Sequence, residues 1–166
     1  MRAFINASDK KYKYSNKSIL KIADELACYF NVSGDYELGI HFCSYTRIRK
    51  LNSEYRNKNT ATDVLSFAVN EPGEIKGRNF KSGLPMLLGD IFLCPDYILK
   101  NNVIRGGASL CSETAYLMVH GFMHLIGYDH PEGDYENSKM RKDAEKFIDK
   151  KLGGINLKSL IKIAKG

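Results

Sequence analysis

The sequence predicts a single domain in which helices cover a small β-sheet, an α/β or α+β sandwich. Runs of apolar residues at helical spacing alternate along the chain with runs at strand spacing. At 166 residues, with 43% hydrophobic and 27% charged residues, the chain can bury a core of its own and has the composition of a folded domain. The order of the strands does not follow from the pattern.

The helical segments carry apolar residues three or four positions apart. Predicted helices run over residues 18–30, from about 44 to 55, over 95–100, over 109–126 and from about 134 to 152. The helix over 109–126 is apolar on nearly all sides, so we expect it at the centre of the fold.

Predicted strands cover residues 36–42, 64–69 and 86–93. The first alternates apolar and polar residues, which is typical of a half-buried strand. Residues 70–85 are predicted as a surface loop and 101–107 as a turn, because glycine and proline interrupt the apolar pattern. The domain spans 1–166, and its tail, 155–166, either forms a basic amphipathic turn or frays.

Composition also restricts the class of function. No apolar run approaches the roughly 18–20 residues that span a bilayer, and residues 1–17 lack the apolar segment of a secretory signal. We therefore expect a soluble, cytoplasmic protein with no membrane partner. Lys and Arg number 25 against 19 Asp and Glu, a formal net charge of +6. This excess of positive charge is compatible with a polyanionic partner such as RNA, but an ordinary basic protein without such a partner would show it equally well.

The four cysteines do not form a metal-binding pattern, because no two of them make a Cys-x-x-Cys pair. Most lie in apolar stretches and are predicted to be small buried side chains in a reducing compartment. They are Cys28, Cys43, Cys94 and Cys111.

Three of the four histidines, His120, His124 and His130, lie within eleven residues. Residues four apart share a helix face, so the first two imidazoles can reach one ion. His130 lies six residues further and would point about 240° away on a continuing helix. Gly127 can end the helix in the left-handed conformation and let the chain turn back. The spacing therefore predicts a metal site of three histidines, the third contributed by a loop.

Three neutral imidazoles leave one position of a tetrahedral ion open, which is the arrangement of a catalytic site. A water molecule held there has a pKa of about 7 and supplies hydroxide at neutral pH. We expect one divalent ion, Zn²⁺ first, although nickel, cobalt and copper also bind such sites. His41 has no neighbour at ligand spacing and is predicted to be an ordinary structural histidine.

Gly121 argues against a peptidase. The spacing His-x3-His-x5-His is also that of the metzincin metalloproteases, which need Glu directly after the first His as general base. This chain has glycine at that position. The ligand pattern is therefore present without the catalytic base of a peptidase.

Three segments resemble the YbeY endoribonuclease family. HGFMHLIGYDH over 120–130 is similar to the family's histidine motif, the block over 51–67 to its L-N-x-x-[YF]-R-x-K segment, and LGDI over 88–91 to its L-G-D-I strand. The segments occur in the family's order, and together they span about residues 51–130.

The resemblance implies an α+β fold with a small mixed sheet covered by helices and a metal site at the end of a central helix. It implies a metal-dependent, single-strand-specific endoribonuclease that acts in ribosomal RNA maturation, at the 3′ end of the small-subunit RNA, and in ribosome quality control. Its partners would be single-stranded RNA, rRNA and the small ribosomal subunit, and no DNA partner is expected. The three histidines match the family's metal ligands.

Arg56 matches the family's functionally important arginine, and chemistry supports a catalytic role for it. Phosphodiester cleavage gathers negative charge on the non-bridging oxygens, which a guanidinium can stabilise bidentately. Lys58 is as consistent with a solvated surface lysine as with a role at the site. Asp63 is either a turn residue or an acceptor that orients a histidine. For Asp90, we expect a cap or a hydrogen bond in the core.

Two other functions stay open at the level of the sequence. A metallopeptidase-like hydrolase could recruit its base from elsewhere in the chain. A non-catalytic ribosome-assembly factor could use the metal only to stabilise its fold.

Overall fold

The computed structural model describes residues 2–8, 10–32, 34–71, 75, 85–101, 109–131 and 134–164. The strands are β1 (Arg2–Ala7), β2 (Tyr12–Tyr14), β3 (Tyr36–Phe42), β4 (Val64–Ala68), β5 (Met86–Leu93) and β6 (Ile161–Ile163). The α-helices are α1 (Asn16–Tyr29), α2 (Tyr45–Arg56), α3 (Pro95–Lys100), α4 (Leu110–Leu125) and α5 (Lys139–Lys151). Short 3-10 helices cover Tyr135–Asn137, Leu152–Gly154 and Leu157–Ser159.

The main sheet is mixed and has the strand order β1-β3-β5-β4. Strands β1, β3 and β5 run parallel, and β4 runs antiparallel to β5. Parallel neighbours need long connections, and α1 and α2 lie in the two crossovers. The α+β fold with a small mixed sheet is therefore confirmed.

Helix α4 is the centre of the fold, as predicted. Every residue from Glu113 to Val119 is buried, and Phe122 and Met123 are fully buried. These side chains form one apolar cluster with the inward side chains of β3 and β5 and with residues of α1 and α5. The nearly all-apolar sequence of α4 follows from this position, since protein surrounds the helix on several sides.

Helix α2 lies on the other face of the sheet. A second, smaller apolar cluster joins Ile48 and Leu51 of α2 to Leu65 of β4 and to two buried cysteines, Cys43 and Cys94. Leu65 alternates with Val64, which belongs to the main core, so the two clusters lie on opposite faces. The sheet therefore holds α2 and α4 on opposite sides.

Strand β5 contains one extra residue, which explains the interruption of its apolar pattern. Glu37 pairs with Leu87 but Leu38 pairs with Gly89, so the register shifts between them. Gly89 has φ 137°, and a Cβ there would lie 2.2 Å from the carbonyl oxygen of Phe67. This position requires glycine.

Residues 161–163 of the C-terminal tail form a strand. Strand β6 pairs antiparallel with β2, with Tyr12 opposite Ile163 and Tyr14 opposite Ile161. The expectation for the tail was wrong over residues 161–163, because its partner strand lies near the other end of the chain. Strands β1 and β2 had no predicted counterpart either.

Helix α5 begins later than predicted. Ser138 has the extended backbone of an N-cap, and its hydroxyl accepts a hydrogen bond of 3.1 Å from the Arg141 amide. The start near residue 134 was therefore wrong, and Tyr135–Asn137 forms a separate 3-10 turn. Most of the predicted loop 70–85 and turn 101–107 falls outside the described residues. Within the described ranges, no helix combines the length and apolarity needed to cross a bilayer.

Candidate metal centre

The C-terminal end of α4 carries two of the candidate ligands. His120 and His124 lie one turn apart, and their Nε2 atoms are 3.2 Å from each other. The helix then closes with two hydrogen bonds, from the Gly127 amide to His124 O (3.0 Å) and from the Tyr128 amide to Met123 O (2.9 Å). Gly127 has φ 87°. The predicted left-handed helix end at Gly127 is confirmed.

The turn at Gly127 brings His130 back to the helix. Its ring centroid lies 5.4 Å from that of His120 and 5.3 Å from that of His124. One nitrogen of each imidazole lies within 4.8 Å of the other two. The structure thus brings together the three histidines that the spacing predicted.

One ring nitrogen of His130 has no hydrogen-bond partner in the part of the chain that the structure describes. Its Nδ1 lies 3.1 Å from the carbonyl oxygen of Pro131, and a hydrogen bond to that oxygen requires the proton on Nδ1. Nε2 is then an acceptor, and it is buried with no hydrogen-bond partner among the described residues. Buried polar atoms are normally satisfied, so this lone pair fits a metal ion.

Burial and neighbouring positive charge keep two of the imidazoles neutral. Burial lowers the pKa of His120 to about 3, with further lowering from His124, His130 and Arg56. The pKa of His124 is also lowered, first by burial and then by His130, against opposing effects of Asp129 and the Tyr128 backbone. A metal binds the neutral imidazole, so this protonation state is the one that a ligand needs.

Arg56 lies within electrostatic range of the histidines. It is the last residue of α2, its side chain is exposed, and its charge lowers the pKa of both His120 and His124. Asn57 follows it with φ 56° and turns the chain toward β4. The structure therefore brings Arg56 to the predicted site, whereas Lys58 is exposed on the turn that follows.

Gly121 lies at a close contact between α4 and the sheet. A Cβ at this position would lie 2.9 Å from Cγ2 of Ile91 in β5. The glycine that removes the peptidase base therefore also permits the helix to pack on the strand, and a glutamate would not fit without displacing one of them.

Two aspartates near the motifs, Asp63 and Asp129, have structural partners. Asp63 accepts hydrogen bonds from the Thr62 hydroxyl (2.9 Å) and the Val64 amide (2.8 Å), as a turn residue does. Asp129 accepts one from the His130 amide (2.9 Å) and lies 3.9 Å from His124 Nδ1. It shapes the loop that carries the third histidine.

Asp90 and His41 pair with each other away from the metal centre. Asp90 Oδ1 lies 2.7 Å from His41 Nε2, and the His41 ring stacks on Phe92 at 4.4 Å. The pair lies on the outer face of the sheet, where both side chains are partly exposed. Asp90 therefore forms a hydrogen bond, but on the surface of the sheet, and the expected cap or core position was wrong. The structural role expected for His41 agrees with this geometry.

Sequence reasoning missed two tyrosines at the site. The Tyr135 ring lies against His120 and His130, and its hydroxyl bonds the hydroxyl of Tyr116 in α4. Tyr135 was assigned to the start of a helix, so no pattern associated it with the histidines.

The chain matches the family model described as Endoribonuclease YbeY over residues 4–152. A curated relative of that name from Halalkalibacterium halodurans is 36% identical over 143 residues, which cover 85% of this chain and 89% of the relative. Another, from Listeria welshimeri, is 39% identical over 124 residues, which cover 72% of this chain and 74% of the relative.

Among solved structures, the chain is similar to the solution structure of TM1509 from Thermotoga maritima. The TM-score is 0.57 at 25% sequence identity, over 92% of this chain and 90% of that one. The match to the family model and the two relatives together confirm the resemblance found in the sequence motifs. The chain belongs to the YbeY endoribonuclease family.

Proposed function

We propose that this protein is a metal-dependent endoribonuclease that cleaves single-stranded RNA, with ribosomal RNA as its substrate. The observation that carries the proposal is the cluster of three imidazoles, one of which has a buried nitrogen with no hydrogen-bond partner among the described residues. Membership of a family described as Endoribonuclease YbeY supports RNA as the polymer.

His120, His124 and His130 would hold the ion, and Zn²⁺ fits the donor set best. Zinc takes imidazole nitrogens at about 2.0–2.1 Å, and two such ligands of a tetrahedral ion lie about 3.3 Å apart. The Nε2 atoms of His120 and His124 are already 3.2 Å apart. When bound, the ion would supply Lewis acidity to a water molecule and to a phosphate oxygen. Because nickel, cobalt and copper also bind imidazoles, metal analysis of the purified protein tests this assignment.

Arg56 would stabilise the phosphate during cleavage. A guanidinium stays charged at any physiological pH and presents a planar fork that matches two phosphate oxygens. The charge of Arg56 acts on both His120 and His124, so its field reaches the site of reaction. It would offset the negative charge that develops on the non-bridging oxygens.

Tyr55 would contact a base of the substrate. It precedes Arg56, is 66% exposed, and rests its ring against Phe67 with the centroids 4.9 Å apart. An exposed ring supported from below offers one face for stacking, which contributes about 1–3 kcal/mol per base. Only an unpaired base can stack in this way, which agrees with a preference for single strands.

The biological setting follows from the family resemblance. We propose that the protein matures the 3′ end of the small-subunit rRNA and acts in ribosome quality control, with the small ribosomal subunit as its partner. The net charge of +6 supports binding to a polyanion. Such work would take place in the cytoplasm, where ribosomes are assembled.

The test compares wild type, His124→Ala and Arg56→Glu on a single-stranded rRNA fragment, with highly purified protein before and after chelation. We expect cleavage by wild type only, and loss of cleavage on chelation. Arg47→Glu is the matched control, because Arg47 is an exposed arginine near the opposite end of α2. It should retain activity.

Two results would refute the proposal. Equal cleavage by all variants would mean that a contaminating nuclease is responsible. No cleavage by any of them, with a loss of thermal stability in His124→Ala, would favour an assembly factor whose metal is structural.

A further inference from the structure

We infer that Tyr135 is a positioning residue of the metal centre, whose ring holds the imidazoles of His120 and His130 in the arrangement that binds the ion. The inference rests on the proposed metal site and not on the proposed reaction.

The Tyr135 ring contacts one ligand from the helix and one from the loop. Its centroid lies 4.8 Å from that of His120, with the planes at 80°, and 4.8 Å from that of His130, with the planes at 55°. The contact with His120 is edge-to-face and the contact with His130 is tilted, and ring contacts of both kinds favour a defined mutual orientation. One side chain therefore restricts two ligands at once.

Tyr135 is itself fixed from the helix and from the start of α5. Its hydroxyl forms a hydrogen bond with the hydroxyl of Tyr116, which is 3% exposed in α4. Its carbonyl oxygen accepts a hydrogen bond of 2.7 Å from the Ser138 hydroxyl, which also caps α5. The ring is thus held at its hydroxyl and the backbone that carries it at the cap of α5, so the side chain can act as a rigid support.

His130 needs such a support, because its hydrogen bonds are local. Its amide donates to Asp129 and its Nδ1 to Pro131 O, both one residue away. Neither bond fixes the ring relative to α4. Among the described residues, the ring contacts that join His130 to the rest of the protein are those with the two other imidazoles and with Tyr135.

The first measurement is the zinc dissociation constant, by competition with a chromophoric chelator. Removal of the ring in Tyr135→Leu should weaken zinc binding about 10- to 100-fold, as for other residues that orient metal ligands. It should also change the visible absorption spectrum of the Co²⁺-substituted protein, which reports ligand geometry. Tyr135→Phe keeps the ring and loses only the bond to Tyr116, so we expect a loss of about threefold.

Tyr29→Leu is the matched control. Tyr29 is also half-buried and makes two ring contacts, at 5.1 Å with Phe30 and 5.3 Å with Phe147. Among the described residues it has no ring contact with a histidine. Both Leu variants should lower the free energy of unfolding of the metal-free protein, and only Tyr135→Leu should weaken zinc binding.

A double-mutant cycle separates positioning from general stability. In a His130→Ala background, Tyr135→Leu should have a much smaller effect on the zinc dissociation constant, because one of the rings it holds is gone. Equal zinc affinity of Tyr135→Leu and wild type would overturn the inference, and so would equal weakening by Tyr29→Leu.

Three further outcomes are informative. If Tyr135→Leu does not fold, Tyr135→Phe and Tyr116→Phe provide the test, because both remove the hydrogen bond between the two hydroxyls. Unchanged zinc affinity and unchanged Co²⁺ spectra in both variants would overturn the inference. Wild type that binds zinc but cleaves no RNA would refute the proposed reaction and leave the role of Tyr135 intact. Wild type that binds neither zinc nor cobalt would overturn both.

Discussion

Gly121 lies directly after His120, at a point where α4 packs closely on β5. A Cβ there would lie 2.9 Å from Cγ2 of Ile91 and 3.3 Å from its Cγ1. Ile91 is 1% exposed, and its branched Cβ restricts it to few rotamers, so its methyl group cannot swing away. The substitution Gly121→Ala therefore tests whether this close packing holds the ligand helix in place.

Two opposing effects set the magnitude. Alanine is about 1 kcal/mol more favourable than glycine inside a helix. An extra methyl group in a filled core costs about 1–3 kcal/mol. Because the contact is short and the neighbour is stiff, we expect the packing cost to be larger. Gly121→Ala should then lower the free energy of unfolding by about 1 kcal/mol, and the displacement of α4 should weaken zinc binding at His120.

The assay is urea unfolding of the metal-free protein, followed by zinc titration. Gly153→Ala serves as the control, since a Cβ at that position meets nothing within 4 Å. It should be neutral or slightly stabilising. If Gly121→Ala is as stable as wild type or more stable, the helix tolerates a wider spacing from β5, and the packing argument is wrong.

Three more predictions follow from single contacts. The unfolded chain binds a proton on His120 near pH 6.5, but the folded chain does so only near pH 3. As the pH falls between these values, the metal-free protein should lose up to about 1.4 kcal/mol of its free energy of unfolding per pH unit. Urea unfolding at several pH values measures this dependence, and a dependence that His120→Gln leaves unchanged would contradict the prediction. Gly127→Ala places a side chain on a residue with φ 87°, which should lower the free energy of unfolding by about 1–2 kcal/mol and weaken zinc binding. At Gly154 a Cβ meets nothing within 4 Å, so Gly154→Ala should change neither the stability nor the zinc affinity. Tyr55→Leu should weaken the binding of single-stranded RNA to the metal-free protein about tenfold, as measured by fluorescence anisotropy. Tyr45 is exposed at the other end of α2, and Tyr45→Leu should not weaken binding. Equal losses of affinity in the two variants would exclude stacking on Tyr55.

Elements with a complete local pattern were predictable from the sequence. Strands β3 and β5 and helix α3 coincide with the predicted residues, because each carries a full set of alternating, apolar or capping residues. Strands β2 and β6 are three residues each and stabilise one another from opposite ends of the chain. A strand that depends on a distant partner leaves little trace in its own sequence.

The difference between local pattern and distant contacts also explains where α5 starts. Residues near 134 have helical spacing, but the side chain and extended backbone of Ser138 cap a helix that begins at Lys139. The preceding 3-10 turn is held by contacts of Tyr135 with α4 and the histidines. Those contacts are tertiary, so a local pattern extends the helix too far.

The sequence by itself determined the candidate ligands of the metal centre. The face shared by His120 and His124 and the left-handed turn at Gly127 are properties of a few neighbouring residues, and local backbone geometry is enough to predict them. Only the tertiary structure decided what surrounds these ligands. Arg56 and Tyr135 reach them through the packing of α2 on the sheet and of the 3-10 turn on α4, and burial in that packing is what lowers the pKa of His120. Such effects depend on which distant segments exclude water from the site, and chain neighbours do not encode this.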